Sequence, residues 1–207
     1  MKIGIIGSGN IGGTVARLFV NAGHDVALAN SRGPASLVPL ITELGPRAQA
    51  MSVEEAAAFG DVVLLATPWR SPEALPGVDV LRGKIVIDAM NPYTATGDQY
   101  DLGDSTSSEE TAKRLPGARI VKAFNTIWSK HLESQGDSGK PVDERRVIFL
   151  AGDDSEAKQV VAKLIEEIGF APVDTGSLRE GGRRQQPGSD IYNNDMTGAA
   201  ARKVLHG

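Results

Sequence analysis

Lys2-Ile3-Gly4-Ile5-Ile6 runs straight into Gly7-Ser8-Gly9-Asn10-Ile11-Gly12, and Asp25-Val26-Ala27-Leu28-Ala29 ends in Asn30-Ser31-Arg32. This is strand, glycine turn, helix, strand and polar stop. A G-x-G-x-x-G between an apolar strand and a helix is a dinucleotide-binding signature. Gly7 permits the tight turn, Gly9 lets backbone approach a pyrophosphate, and Gly12 lets the helix pack closely on the strand. Ser8, Asn10 and Ile11 complete the turn. Phosphates would sit at the helix N-terminus, where free N–H groups and the positive end of the dipole stabilise anions.

The end of the second strand selects the nucleotide. An NAD site wants Asp or Glu there, about 20 residues after the glycines, to accept from the ribose 2′-OH. Here Asn30 stands in that place, followed by Ser31 and Arg32. A hydroxyl and a guanidinium would bind the 2′-phosphate that a carboxylate repels. The expected cofactor is therefore NADP(H).

Beyond the helix over Asn10–Ala22, the pattern predicts helices at 35–44, 52–59, 108–115, 127–132, 155–168 and 195–205. It predicts strands at 47–51, 61–66, 84–88, 119–124, 145–151 and 170–174, with turn chemistry between them. Ser52, Ser107 (with Glu110) and Asp154 or Ser155 are read as helix caps. The β-α-β rhythm with near-continuous apolar strands indicates a doubly wound, mostly parallel sheet of about eight strands. Helices cover both faces, and a short C-terminal helix closes one domain over residues 1–207. Two loops break the rhythm, 91–105 and 134–144, as does a tail over 177–188.

Composition narrows the function classes. A net charge of −4 argues against a nucleic-acid binder. The absence of cysteine excludes disulfides and thiolate chemistry and fits a cytoplasmic protein. A strand beginning at residue 2 leaves no room for a signal peptide, and no apolar run approaches membrane-spanning length. His24, His131 and His206 lack the spacing of a metal site.

In an open α/β sheet, ligands bind outside the strands' carboxyl ends. Those ends carry Thr67-Pro68, Met90-Asn91 and Asn125. Thr67 and Pro68 are expected on the ribose and pyrophosphate side, with Trp69 as a wall or a core-edge aromatic. Met90 and Asn91 are expected near the nicotinamide, where Asn125 would bond its carboxamide or shape the loop. Tyr93, Lys122 and His131 are the acid–base candidates. No nucleophile–base–orienter set emerges, which suits direct hydride transfer between two redox rings, since that step needs alignment rather than a protein acid.

Together the glycine turn, Asn30-Ser31-Arg32, Ala66-Thr67-Pro68, Asp88-Ala89-Met90-Asn91-Pro92 and Lys122-Ala123-Phe124-Asn125-Thr126 resemble the coenzyme F420-dependent NADP oxidoreductase family. The resemblance implies reversible hydride transfer between NADP(H) and the deazaflavin F420, or a related flavin, with the rings stacked. It implies NADP contacts at Ser8, Asn10, Ile11, Ser31, Arg32, Thr67, Pro68, Met90 and Asn91. Asn125 and the Arg183–Pro187 loop would line the second ring, and Arg179, Arg183 and Arg184 would attract an anionic tail. The 91–105 loop and the 134–144 insertion depart from that pattern. Two other readings stay open at this point: a reductase of small carbonyls or imines, and a non-catalytic NADP(H) sensor. The partner is a small-molecule redox acceptor. A homodimer is expected through the apolar face Met196, Ala199, Ala200 and Val204.

Overall fold

The structure is a computed structural model that describes residues 1–206. Its eight strands are β1 (Lys2–Ile6), β2 (Asp25–Ala29), β3 (Ala48–Ala50), β4 (Val62–Leu65), β5 (Ile85–Asp88), β6 (Arg119–Ala123), β7 (Val147–Ala151) and β8 (Ala171–Asp174). They form one sheet in the order β3-β2-β1-β4-β5-β6-β7-β8. All pairs are parallel except β6–β7, where Lys122 faces Ala151 and Ala123 faces Leu150. The direction of winding reverses between β1 and β4, and that switch point opens a crevice at the carboxyl ends.

The helices are α1 (Asn10–Asn21), α2 (Val38–Leu44), α3 (Val53–Phe59), α4 (Val78–Leu81), α5 (Ser107–Arg114), α6 (Ser129–Ser134), α7 (Ser155–Glu167), α8 (Glu180–Arg184) and α9 (Gly198–His206). They divide the core into layers. Ile3, Ile5 and Val121 join Val15 and Phe19 of α1 and Val161 and Ile165 of α7 on one face. Ile6, Val63 and Val86 join Ala56 and Ala57 of α3 and Leu81 of α4 on the other. Gly4 explains how closely α3 lies on β1, because a Cβ there would sit 2.1 Å from the Ala56 carbonyl oxygen.

Several sequence expectations shift. The helix expected over 35–44 is a 3-10 turn over Pro34–Leu37 followed by α2. One continuous helix would place Pro39 in its interior, whereas the break puts Pro39 in the first turn, where its missing N–H costs nothing. The cap of α5 is Thr106 with Glu109, one residue before the expected Ser107 and Glu110. The polar tail contains α8, and α9 begins at Gly198 because Thr197 bridges back to Arg146. The 91–105 loop folds on itself, with Tyr93 bridging Gln99. The face of α9 is turned inward: Ala201, with Met196 and Leu205, packs on Val147, Phe149 and Val173, while Val204 stays exposed. Among the described residues no helix is long and apolar enough to cross a membrane, and no group of His, Asp and Glu has the arrangement to hold a metal ion.

Candidate functional site

Parallel register brings the strand ends abreast. Ile6 pairs with Ala29 and Leu65, Leu65 with Asp88, and Asp88 with Lys122. The ladder continues one residue further through Gly7 N–H to Ala29 O at 2.9 Å, Ala66 N–H to Ile6 O at 2.8 Å and Ala89 N–H to Leu65 O at 3.0 Å. The segments that follow therefore line one cleft of about 980 Å³. Its wall includes Gly7 to Ile11, Asn30 to Arg32, Ala66 to Ser71, and Ala89 to Asn91 with Tyr93.

The glycine turn has the shape of an anion cradle. Gly7 has φ +108°, a left-handed conformation that glycine adopts without strain. A Cβ on Gly12 would lie 1.9 Å from the Gly7 carbonyl oxygen, whereas one on Gly9 would meet nothing within 4 Å. Gly9 is the N-cap of α1 and supplies no side-chain cap, and the first turn holds no acid. The helix thus presents uncapped N–H groups beside an open face, which suits a pyrophosphate.

Asn30 is a strut. Its Nδ2 donates to Ser8 Oγ and Ser36 Oγ, both at 3.0 Å, and its Oδ1 accepts from Arg32 N–H at 2.9 Å. It ties the glycine turn to the Ser31–Arg32 loop. Ser31 and Arg32 are exposed on the cleft wall. Among the described residues their side chains have no hydrogen-bond or ion-pair partner.

Met90 forms the cleft floor and is held from three sides. Its N–H donates to Asp88 Oδ1 at 3.0 Å, its carbonyl accepts from Lys122 Nζ, and its sulfur accepts from Thr67 Oγ1 at 3.4 Å. Asp88 and Lys122 are both fully buried and lie 3.5 Å apart, and Ser108 Oγ donates to Asp88 Oδ2 at 2.9 Å. Burial pushes the Lys122 ammonium below its ordinary pKa, and the Asp88 carboxylate opposes that shift. Lys122 therefore lies beneath the cleft. Trp69 proves to be both wall and core: it lines the cleft at 5% exposure and donates from Nε1 to Ser107 O at 3.1 Å. The Arg114 guanidinium lies 4.0 Å from its ring centroid.

A second cavity of about 300 Å³ shares Asn10, Ile11, Ala89 and Asn91 with the cleft and adds Phe124, Asn125, Ile127, Trp128, Ser129, Tyr192 and Asn193. Its wall is polar and braced. Asn125 Nδ2 donates to Gln185 O at 2.8 Å and Asn91 Oδ1 at 3.2 Å, while Asn91 Nδ2 donates to Asn125 O at 3.0 Å and Tyr192 OH at 3.2 Å. The Tyr93 and Tyr192 hydroxyls are hydrogen-bonded to one another at 3.3 Å. Burial, with the Tyr93 hydroxyl, holds the Tyr192 phenol above its ordinary pKa, so it stays protonated. Phe124 has φ +66°, a conformation costing a side-chain-bearing residue roughly 1–2 kcal/mol.

The remaining expected residues lie elsewhere. His131 borders neither cavity; its Nδ1 pairs with Asp195 at 3.0 Å on the surface. Residues 183–187 also line neither cavity. Arg183 donates to Asp104 O and Arg184 to Leu205 O, and the segment touches the site only through Gln185. Trp128, Tyr192 and Asn193 had no sequence signal, since nothing local in Ser189–Asn194 marks it as a wall contributor.

Comparison with known proteins agrees with this geometry. Residues 2–92 match the family described as NADP oxidoreductase, coenzyme F420-dependent. A crystal structure of a hypothetical protein from Sinorhizobium meliloti is 37% identical, with a TM-score of 0.82 and 95% of each chain covered. A candidate F420-dependent NADP-reductase from an Arthrobacter species is 26% identical, with a TM-score of 0.73 and 86% of each chain covered. The metalloreductase STEAP3 of Rattus norvegicus is 33% identical over 178 residues, which is 86% of this chain and 34% of that relative. The chain thus spans about a third of the length of that curated relative.

Proposed function

Because the chain belongs to the family of NADP oxidoreductases, coenzyme F420-dependent, we propose that it binds NADP(H) in the 980 Å³ cleft and exchanges a hydride with a flat redox ring in the 300 Å³ cavity. The observation that carries this reading is the pairing of the Gly9 cradle with the unpartnered Ser31 and Arg32 side chains in one cleft. The uncapped N-terminus of α1 would hold the pyrophosphate, and Ser31 and Arg32 the 2′-phosphate. Asn30 would keep those two subsites in register. Thr67 and Pro68 would flank the ribose, with Met90 and Asn91 at the nicotinamide end.

Reduced NADP supplies the hydride when bound. The protein's share of the step is alignment and water exclusion, which between two rings is worth more than an acid or base. The acceptor class supported best is a deazaflavin of the F420 type or a flavin. The two cavities meet along Asn10, Ile11, Ala89 and Asn91, so rings in each would face one another.

The Tyr93–Tyr192 hydroxyl pair favours a second reading, reduction of a small carbonyl or imine with a tyrosine donating the proton. Mixing the protein with NADPH and oxidised F420 tests the first reading: the deazaflavin's visible absorbance should bleach. Turnover of carbonyl or imine substrates alone, lost in Tyr93→Phe, would favour the second.

A further inference from the structure

The chain has two tryptophans, and the fold treats them in opposite ways. Trp69 is 5% exposed, donates to Ser107 O, and is packed by the Tyr100 ring at 5.4 Å and the Arg114 guanidinium at 4.0 Å. Trp128 is 59% exposed. Among the described residues no aromatic ring or cation stacks on it, and its indole N–H has no hydrogen-bond partner. Trp128 is also the N-cap of α6, with φ −65° and ψ 139°, and gives that helix no side-chain cap. Ser, Thr, Asp or Asn there would stabilise the helix, and tryptophan forfeits that gain. Two independent local costs therefore meet at one residue: an apolar ring in solvent and a helix start without a cap.

Its position accounts for both. Among the described residues, Trp128 is the one large exposed apolar side chain that borders either cavity; Met1, Val38, Val78, Tyr100 and Val204 border neither. In the 300 Å³ cavity the amides of Asn91 and Asn125 and the Tyr192 hydroxyl are tied to one another and to Gln185 O. Phe124 and Ile127 belong to the buried core. Trp128 is thus the large apolar surface that this wall leaves uncovered. Its backbone is anchored. The Trp128 carbonyl accepts from Leu132 N–H at 2.9 Å, and Thr126 O accepts from Asn193 N–H at 3.1 Å, which holds the segment bearing Tyr192 against the one bearing Trp128. An aromatic side chain on a fixed backbone suits stacking, because little freedom is lost when a flat ring settles on it.

We propose that Trp128 is the stacking platform for the acceptor. Its indole covers one face of a flat conjugated ring in the 300 Å³ cavity, and so selects such rings over small aliphatic carbonyls and imines. The inference rests on the function proposed above and assigns the ring's outer face to a residue. The ring's other face would meet the nicotinamide across Asn10, Ile11, Ala89 and Asn91, which the two cavities share.

Titrations of F420 and of FMN, each with NADP+ present and followed by ligand fluorescence, test this without turnover. Trp128→Ala should weaken the ring that binds by about fivefold or more, the worth of one aromatic stack. Trp128→Phe should stay within about threefold of wild type. NADP+ affinity should be unchanged in both, since Trp128 does not border the larger cleft. Trp128→Ser separates a binding role from a structural one. It should lose ring affinity yet melt as high as wild type or about 2–4 °C higher, because serine can cap α6. Unchanged ring affinity in Trp128→Ala would overturn the inference and leave the proposed function standing. So would a loss accompanied in both Trp128→Ala and Trp128→Ser by a lower melting temperature and weaker NADP+ binding, the mark of a structural tryptophan. Binding of neither ring by wild-type protein that binds NADP+ would overturn the proposed acceptor class as well.

Discussion

At Gly9 a methyl group would meet no atom within 4 Å, whereas at Gly12 it would press 1.9 Å from the Gly7 carbonyl oxygen. The two substitutions should therefore part company. Gly9→Ala, at φ −73°, should leave thermal stability unchanged or raise it by about 0.4–1 kcal/mol. It should nonetheless weaken NADPH, because the methyl projects into the space the pyrophosphate would need. Gly12→Ala should lower stability by roughly 1–3 kcal/mol or more, as overpacking does. Melting curves with and without NADPH separate the two. Arg32→Ala should weaken NADPH by roughly 10- to 100-fold, the worth of a charge-assisted hydrogen bond, and leave NADH nearly unaffected. Equal losses for both nucleotides would refute the assignment of Arg32 to the 2′-phosphate. The turn at Gly7 and the close packing at Gly12 were legible in the sequence, because the motif's spacing reflects local geometry. The use of Asn30 as a strut was not, because it depends on Ser8 and Ser36, whose hydroxyls approach only in the folded turn.

Helix ends and buried pairs set stability at the next scale. Asp154 caps α7 by accepting from Ala157 N–H at 2.9 Å and pairs with Arg119 at 2.5 and 2.9 Å. The Arg119 hydrogen bonds, with the capped N–H, hold its carboxyl well below the usual carboxylate range. A depressed pKa in the folded state gives stability that is present above the unfolded value and is lost as pH falls toward the folded one. Asp154→Asn should therefore melt lower than wild type near neutral pH, and the gap should close in acid. A gap independent of pH would contradict that linkage. Lys122→Met should cost roughly 3–5 kcal/mol, since it strands the Asp88 carboxylate in the core beneath Met90. The Thr106-Ser107-Ser108-Glu109-Glu110 run shows why caps are hard to read. It offers two overlapping capping boxes, and tertiary contacts choose between them: Thr106 Oγ1 reaches Leu178 O, and Ser108 Oγ reaches Asp88. α8 was hidden for a similar reason. Gly181 and Gly182 look like loop residues, yet a Cβ on Gly181 would lie 2.6 Å from Thr175 Oγ1, so close packing requires glycine in that helix.

Across the whole molecule, the parallel half follows from β-α-β alternation, and with it the switch point that opens the larger cleft. That much was readable from periodicity because each strand meets a partner one crossover away. The antiparallel step from β6 to β7 and the wall of the smaller cavity were not. Tyr192 meets Asn91 and Tyr93 across about a hundred residues of chain, and no local pattern encodes such a contact. The same nonlocal closure joins the two cavities, so the proposed hydride exchange between two bound rings would be a property of the assembled sheet. Its most direct test is isotopic. NADPH carrying deuterium at nicotinamide C4, on the face the enzyme uses, is incubated with the protein and oxidised F420, and the reduced deazaflavin is analysed by mass spectrometry. Direct ring-to-ring transfer is expected to place the deuterium on the F420 ring carbon with none lost to water. Deuterium appearing in solvent, or NADPH left unoxidised with either face labelled, would contradict the account.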